Sequence, residues 1–176
     1  ADMTIDKTGN WWVGTGPANT GEYHLTRMRG YLHPPATGEY RFWIASDNSS
    51  ELWLSSNAEP SKARKIAGLP RFGWVVPREW SRYESQCSGP IVLHRGESYY
   101  IEAITEQSTG GDNLAVAWQG PGVNQAVMPG EHLTPWRAAG GTTNGIWREY
   151  WADFTAGGLV DVAGPRPFQS ALGDEQ

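Results

Sequence analysis

From Thr37 onward, apolar and polar positions alternate along the chain. Tyr40, Phe42 and Ile44 fall on one side of the run and Arg41, Trp43 and Ala45 on the other. Period-two alternation is the mark of a strand with two distinct faces. The pattern breaks at Ser46-Asp47-Asn48-Ser49-Ser50, a run of short polar turn-formers, and returns at Leu52-Trp53-Leu54 as a second strand. Upstream, Tyr23 to Leu32 alternates in the same way. The turn His33 to Gly38 follows, and its prolines cannot serve a central ladder, so the partner strand is expected to begin after it. Downstream, Ile66 to Leu69 predicts a short strand and Ile91-Val92-Leu93 another. Tyr99 to Ile104 predicts the strongest strand in the chain, and Leu114 to Gln119 follows it across the loop Thr109-Gly110-Gly111-Asp112-Asn113. The expectation is two hairpins with acid- or amide-rich tips, one at residues 46–50 and one at 109–113. Asp and Asn populate turns for local hydrogen-bonding reasons, so neither tip is informative alone.

Composition supports an all-β reading. The chain has 176 residues with 22 Gly, 12 Pro and ten Trp, and this density of Gly and Pro favours short strands and turns over helices. Ten indoles exceed what core packing needs, which leaves some of them available as exposed platforms for sugar rings. A charged fraction of 19% and a net charge of -5 give no pull toward nucleic acid or anionic lipid. No apolar run approaches the ~20 residues of a membrane span, and Ala1 opens no signal peptide, so the chain reads as a piece of a larger protein. The single Cys87 is expected as a buried small hydrophobe.

Candidate chemistry narrows to the tips. The loop at residues 46–50 holds one carboxylate, one carboxamide and three hydroxyls, more oxygen than a connection requires. Hard cations such as Ca²⁺ take six to eight oxygen ligands, which suits such a loop. Residues Gly73 to Tyr83 form a long, irregular, aromatic-rich connection, and loops of this kind on a rigid scaffold often bind. Catalysis is not expected. The glutamates form no recognisable pair, Glu102 is expected to face solvent opposite Tyr100, and His24, His33, His94 and His132 are scattered without metal-ligand spacing.

Two runs carry a family resemblance. One is Thr37 to Ser55, TGEYRFWIASDNSSELWLS. The other joins Tyr99-Tyr100-Ile101-Glu102-Ala103 to Gly110 through Gly122, GGDNLAVAWQGPG. With the strand at Tyr23 to Leu32, these resemble the PA14 domain family over roughly residues 20 to 136. The resemblance implies an antiparallel β-sandwich or barrel with long loops at one end, found in adhesins and attached to glycosidases. It also implies sugar binding through Ca²⁺. In lectin members, two adjacent aspartates joined by a cis peptide hold the metal with an Asn of a second loop, and two neighbouring sugar hydroxyls complete the shell. Asp47 matches the first aspartate, and Asn48 stands where the second is expected. Asp112 and Asn113 are the side chains offered by the second loop. Asn48 removes one formal charge, and Ca²⁺ affinity follows ligand charge.

The expected molecule is therefore a non-catalytic module of a larger extracellular or cell-surface protein, bacterial by resemblance. It would recognise a glycan or polysaccharide through Ca²⁺ held by Asp47, Asn48, Asp112 and Asn113, with Trp74 and Trp80 packing on the sugar. The alternative is a spacer or protein-contact domain without metal. Residues 1–139 are expected to form the sandwich core. In residues 140–176, Ile146 to Phe154 alternates like a strand that either completes this sheet or leads into a neighbouring module, and Gly164 to Gln176 is expected to fray.

Overall fold

A computed structural model describes residues 4–6, 23–136 and 146–151 of the chain. The described residues form two antiparallel sheets and no α-helix. In chain order the strands are β1 (Thr4–Asp6), β2 (His24–Leu32), β3 (Gly38–Asp47), β4 (Ser50–Leu54), β5 (Arg64–Leu69) and β6 (Ile91–Leu93). They continue as β7 (Tyr99–Gln107), β8 (Asn113–Gly120), β9 (Val123–Val127), β10 (Leu133–Pro135) and β11 (Trp147–Trp151). The first sheet runs β1-β8-β3-β6, with β9 beside β1 on the same edge of β8. The second runs β10-β2-β7-β4-β5, with β11 following β10 along the free edge of β2. Residues 7–22, 137–145 and 152–176, the tail from Gly164 among them, lie outside the described residues.

The alternation in the sequence explains the core. Tyr40, Phe42 and Ile44 of β3 are fully buried against Leu114, Val116 and Trp118 of β8, and against Met28, Leu52 and Ile101 from the opposite sheet. Burial of each such aliphatic or aromatic side chain stabilises by about 1.5–3 kcal/mol. The sandwich is the two-layer solution for strands with one apolar face.

The pairing departs from the sequence expectation. β3 and β4 do not form a hairpin: β3 pairs with β8 and β6 in the first sheet, and β4 with β7 and β5 in the second. β7 and β8 likewise belong to opposite sheets. β2 does not pair with β3 across the proline turn, but with β7 on one side and with β10 and β11 on the other. Alternation dictates which side chains face the core. It leaves open whether a chain that turns back joins its own sheet or crosses to the facing one.

Two residues, Glu102 and Cys87, sit differently from expectation. Glu102 neither faces water nor lies opposite Tyr100: two residues apart on one strand, they share the outer face of the second sheet, where Glu102 is buried and accepts a hydrogen bond from the Tyr100 hydroxyl. Burial, reinforced by Glu102, raises the Tyr100 pKa, so the phenol stays a donor. Cys87 is half-buried at the edge of β3, bridged to Trp43, with its Sγ 3.3 Å from the Ser88 carbonyl oxygen. His24 is buried, with Nε2 3.7 Å from Asp112 Oδ2.

Candidate functional site

The two crossings between sheets lie side by side. Because β3 pairs with β8 and β4 pairs with β7, the β3–β4 turn must sit against the β7–β8 turn at one corner of the sandwich. Asp47 is the register partner of Asn113, and Ser50 that of Thr105. Between those rungs the ladder continues around the corner. Asn48 N–H donates to Glu106 O at 3.2 Å, and Glu106 N–H donates to Ser49 O at 3.1 Å. The Asn48 carboxamide oxygen accepts from Ser108 N–H at 3.0 Å and lies 3.2 Å from Ser108 Oγ. Ser46 Oγ lies within bonding distance of Asn48 O and Ser50 Oγ, at 2.6 and 2.7 Å. The serines of the turn thus hold the corner, and the Asp47–Asn48 peptide is cis.

Asp47, Asn48, Asp112 and Asn113 all fall at this corner. Asp112 and Asn113 are 6% and 5% exposed, whereas Asp47 and Asn48 are half-exposed at the surface. Asn113 donates from Nδ2 to Val75 O at 2.9 Å, which turns its Oδ1 the other way. That oxygen is buried and has no hydrogen-bond donor, a costly arrangement for a carbonyl acceptor. Gly111 admits the Asp47 carboxylate: a Cβ there would stand 3.2 Å from Asp47 Oδ2. The corner therefore collects two carboxylates and two carboxamides, of which Asn48 is engaged by Ser108. Among the described residues no three His, Cys, Asp or Glu side chains group as a metal site. A donor set half composed of amides falls outside that count.

The 70–83 loop closes the corner on the β3 side. Trp74 forms an isolated bridge with Asp47, and Val75 N–H donates to Ser46 O at 2.9 Å. Trp74 is 44% exposed, with the Arg82 guanidinium 4.4 Å from its ring centroid. Trp80 does not share that place. It is partly buried and packs against the core. On the β7 side, Tyr23 N–H donates to Ser108 O at 2.7 Å and its ring is exposed. Glu106 flanks the corner as well. Burial raises its pKa, partly offset by the Arg71 cation.

Several of these residues had no signal in the sequence. His24 and Ser108 reach the corner only through pairing of distant strands. Gly110-Gly111 was the one local hint, since paired glycines mark turns and close approaches of backbone to other groups.

Comparison with known proteins accords with this architecture. The model of the PA14 domain matches residues 2–131. The chain is 33% identical over 113 residues to mouse N-acetyl-beta-glucosaminyl-glycoprotein 4-beta-N-acetylgalactosaminyltransferase 1, covering 61% of this chain and 11% of that protein. It is 30% identical over 116 residues to dog fibrocystin, covering 58% of this chain and 3% of the relative. The A domain of epithelial adhesin 6 from Candida glabrata, solved in complex with Galβ1-3GlcNAc, superposes with a TM-score of 0.53 at 14% identity, over 75% of this chain and 64% of that one. The chain thus spans only a small part of the curated relatives it matches. With two antiparallel sheets, crossings that meet at one corner and a family match over most of its length, this chain belongs to the PA14 domain family.

Proposed function

We propose that the chain is a non-catalytic carbohydrate-binding module that recognises vicinal sugar hydroxyls through a Ca²⁺ ion held at the corner. The observation that carries this reading is the buried Asn113 Oδ1, an acceptor without a donor, beside a carboxylate that enters over Gly111. A divalent cation satisfies such acceptors where a hydrogen bond does not. Asp47, Asp112 and Asn113 would hold the ion by their side-chain oxygens. Asn48 contributes through Ser108, whose N–H and hydroxyl take up its carboxamide oxygen and pin one crossing to the other. The bound ion would supply open coordination positions for two neighbouring hydroxyls. Trp74, beside Asp47 and open to solvent, packs on the apolar face of the ring. Affinity for a single sugar is expected near millimolar, about 4 kcal/mol. The larger protein carrying the module works outside the cell or at its surface, where other domains and repeated contacts raise avidity.

Support for a binding rather than a catalytic role comes from the strand carboxylates. Glu51 accepts from Trp53 Nε1 and Lys65 Nζ, and Glu102 accepts from Tyr100, so both are engaged within the sheet. A second reading, a spacer without metal or sugar, draws on the Asn48 oxygen already occupied by Ser108. Thermal unfolding with Ca²⁺ and with EDTA separates the two. The binding reading expects Ca²⁺ to raise the melting temperature, Asp47→Ala to abolish the rise, and a glycan array in Ca²⁺ buffer to lose its signals with the same substitution. Equal unfolding in both buffers, together with a silent array, would leave the spacer.

A further inference from the structure

Beside the corner runs a ridge of which the diol reading uses Trp74 alone. Phe72, Trp74 and Val76 are 80%, 44% and 55% exposed, while Gly73 and Val75 between them are buried. The chain turns at residues 70–73, where Gly73 N–H donates to Pro70 O at 2.8 Å, and presents the side chains of Phe72, Trp74 and Val76 to solvent. Its backbone is tied to both crossings, since Val75 N–H donates to Ser46 O and Val75 O accepts from Asn113 Nδ2. The Asp47–Trp74 bridge brings the ridge to within about 5 Å of the corner, backbone to backbone. Phe72 holds φ at +60°, a left-handed conformation that costs a bulky residue about 1–2 kcal/mol and that glycine would adopt without cost. The Pro70–Gly73 turn sets that conformation and holds the Phe72 ring out in solvent.

Two cations complete the ridge. The Arg71 guanidinium lies 4.9 Å from the Phe72 ring centroid, and that of Arg82 lies 4.4 Å from the Trp74 centroid. Among the described residues neither forms an ion pair, although the chain as a whole is acidic at -5. A guanidinium held against a ring is already positioned, and its planar fork matches carboxylate and sulfate oxygens. We propose that Arg71 and Arg82, with the Phe72 ring beside Arg71, form a subsite for an anionic sugar residue linked to the sugar that the corner and Trp74 hold. The Phe72 ring takes the apolar face of this second pyranose, and the guanidinium groups take its carboxylate or sulfate ester. This inference rests on the carbohydrate reading of the corner and adds a ligand class to it.

The test uses one disaccharide in four forms: neutral, sulfated, sialylated and capped with a uronic acid, each titrated in Ca²⁺ buffer. The wild-type protein is expected to bind at least one anionic form about fivefold tighter than the neutral one, a preference that shrinks with added salt. Whether sulfate or carboxylate is preferred identifies the anion. The double variant Arg71→Gln, Arg82→Gln should lose the preference and keep neutral affinity within about twofold, with an unchanged melting temperature. Asp47→Ala should lose all forms. Neutral binding without any anionic preference overturns the subsite and leaves the corner reading intact. A preference that survives the double arginine variant also overturns it, because the anion then sits on the metal. Binding of no form by the wild type removes the corner reading and the subsite together.

Discussion

Two polar clusters are buried in this sandwich, and they differ in what each has left over. On the outer face of the second sheet, Glu149 of β11 accepts from Arg27 Nε at 2.8 Å and from Arg29 Nη2 at 2.7 Å, and Glu102 accepts from Tyr100. The surplus there is of donors: Arg29 Nε and Nη1 make no hydrogen bond. The Trp136 ring, whose centroid lies 5.1 Å from the guanidinium carbon, offers that cation its π face. At the corner the surplus is of acceptors, with Asn113 Oδ1 and Gln107 Oε1 both buried and without a donor. Aromatic faces are negative and cannot relieve an acceptor. A donor surplus can thus be absorbed by an aromatic face of the protein itself, whereas an acceptor surplus calls for a donor or a cation. The outer cluster is architecture, and the corner is where the proposed site would lie.

That contrast can be broken most forcefully at Arg29. Arg29→Ala leaves Glu149 with half its partners at the β2–β11 seam, and removing one member of a buried pair typically costs 3–5 kcal/mol. Urea unfolding should show a loss of about 3 kcal/mol, indifferent to Ca²⁺. A loss that Ca²⁺ repairs would mean that the two clusters are one system.

Next in size is the response of the corner. At one hundred times its dissociation constant, Ca²⁺ should stabilise the wild type by about 2.7 kcal/mol, or roughly 5–10 °C in melting temperature. Asp112→Asn keeps the shape and removes a charge, so most of that gain should vanish while the stability in EDTA stays within about 1 kcal/mol. A large loss in EDTA would show that Asp112 serves the fold through His24 and not through a metal.

Acid titration separates the clusters more finely. Burial acts to raise the Glu149 pKa, but hydrogen bonds and charge from Arg27 and Arg29 outweigh it and hold the carboxyl below its usual 4.5. A depressed folded pKa contributes stability that is present above the unfolded value and lost as pH falls through the folded one. Urea midpoints should therefore fall below about pH 4.5, and Glu149→Gln should flatten that part of the profile. A profile unaltered by the substitution would deny the seam its charge.

The smallest effect is expected at Gly111. Its replacement by Ala places a Cβ 3.2 Å from Asp47 Oδ2, tight enough to push the carboxylate. The Ca²⁺ response should weaken a few-fold in calorimetric titration, with stability in EDTA changed by less than about 1 kcal/mol. An unaffected titration would place the ion away from Asp47.

Much of the scaffold could be read from residue order, because alternation is a local property. Tyr40-Phe42-Ile44, Leu52-Leu54 and Leu114-Val116-Trp118 point their apolar members inward, as the period of two requires. Strands with weak patterns escaped. β9 carries Val123 and Val127 around polar Asn124 and Gln125, and β10 is only Leu133-Thr134-Pro135. Both are edge strands placed by neighbours more than by their own sequence. Glu102 looked solvent-facing because alternation assigns it to the outer face. That this face is itself buried, around Arg29 and Tyr100, is not written in the strand.

The order of residues by itself determined an all-β chain and the oxygen-rich turns at residues 46–50 and 109–113, since hydrophobic period and turn chemistry act between near neighbours. Tertiary structure alone decided that each turn crosses from one sheet to the other, and so which residues meet there. β3 joined β8 and β4 joined β7 by backbone pairing between segments some 60 residues apart. That choice depends on burying both apolar faces at once, which is a property of the whole sandwich and not of any stretch within it.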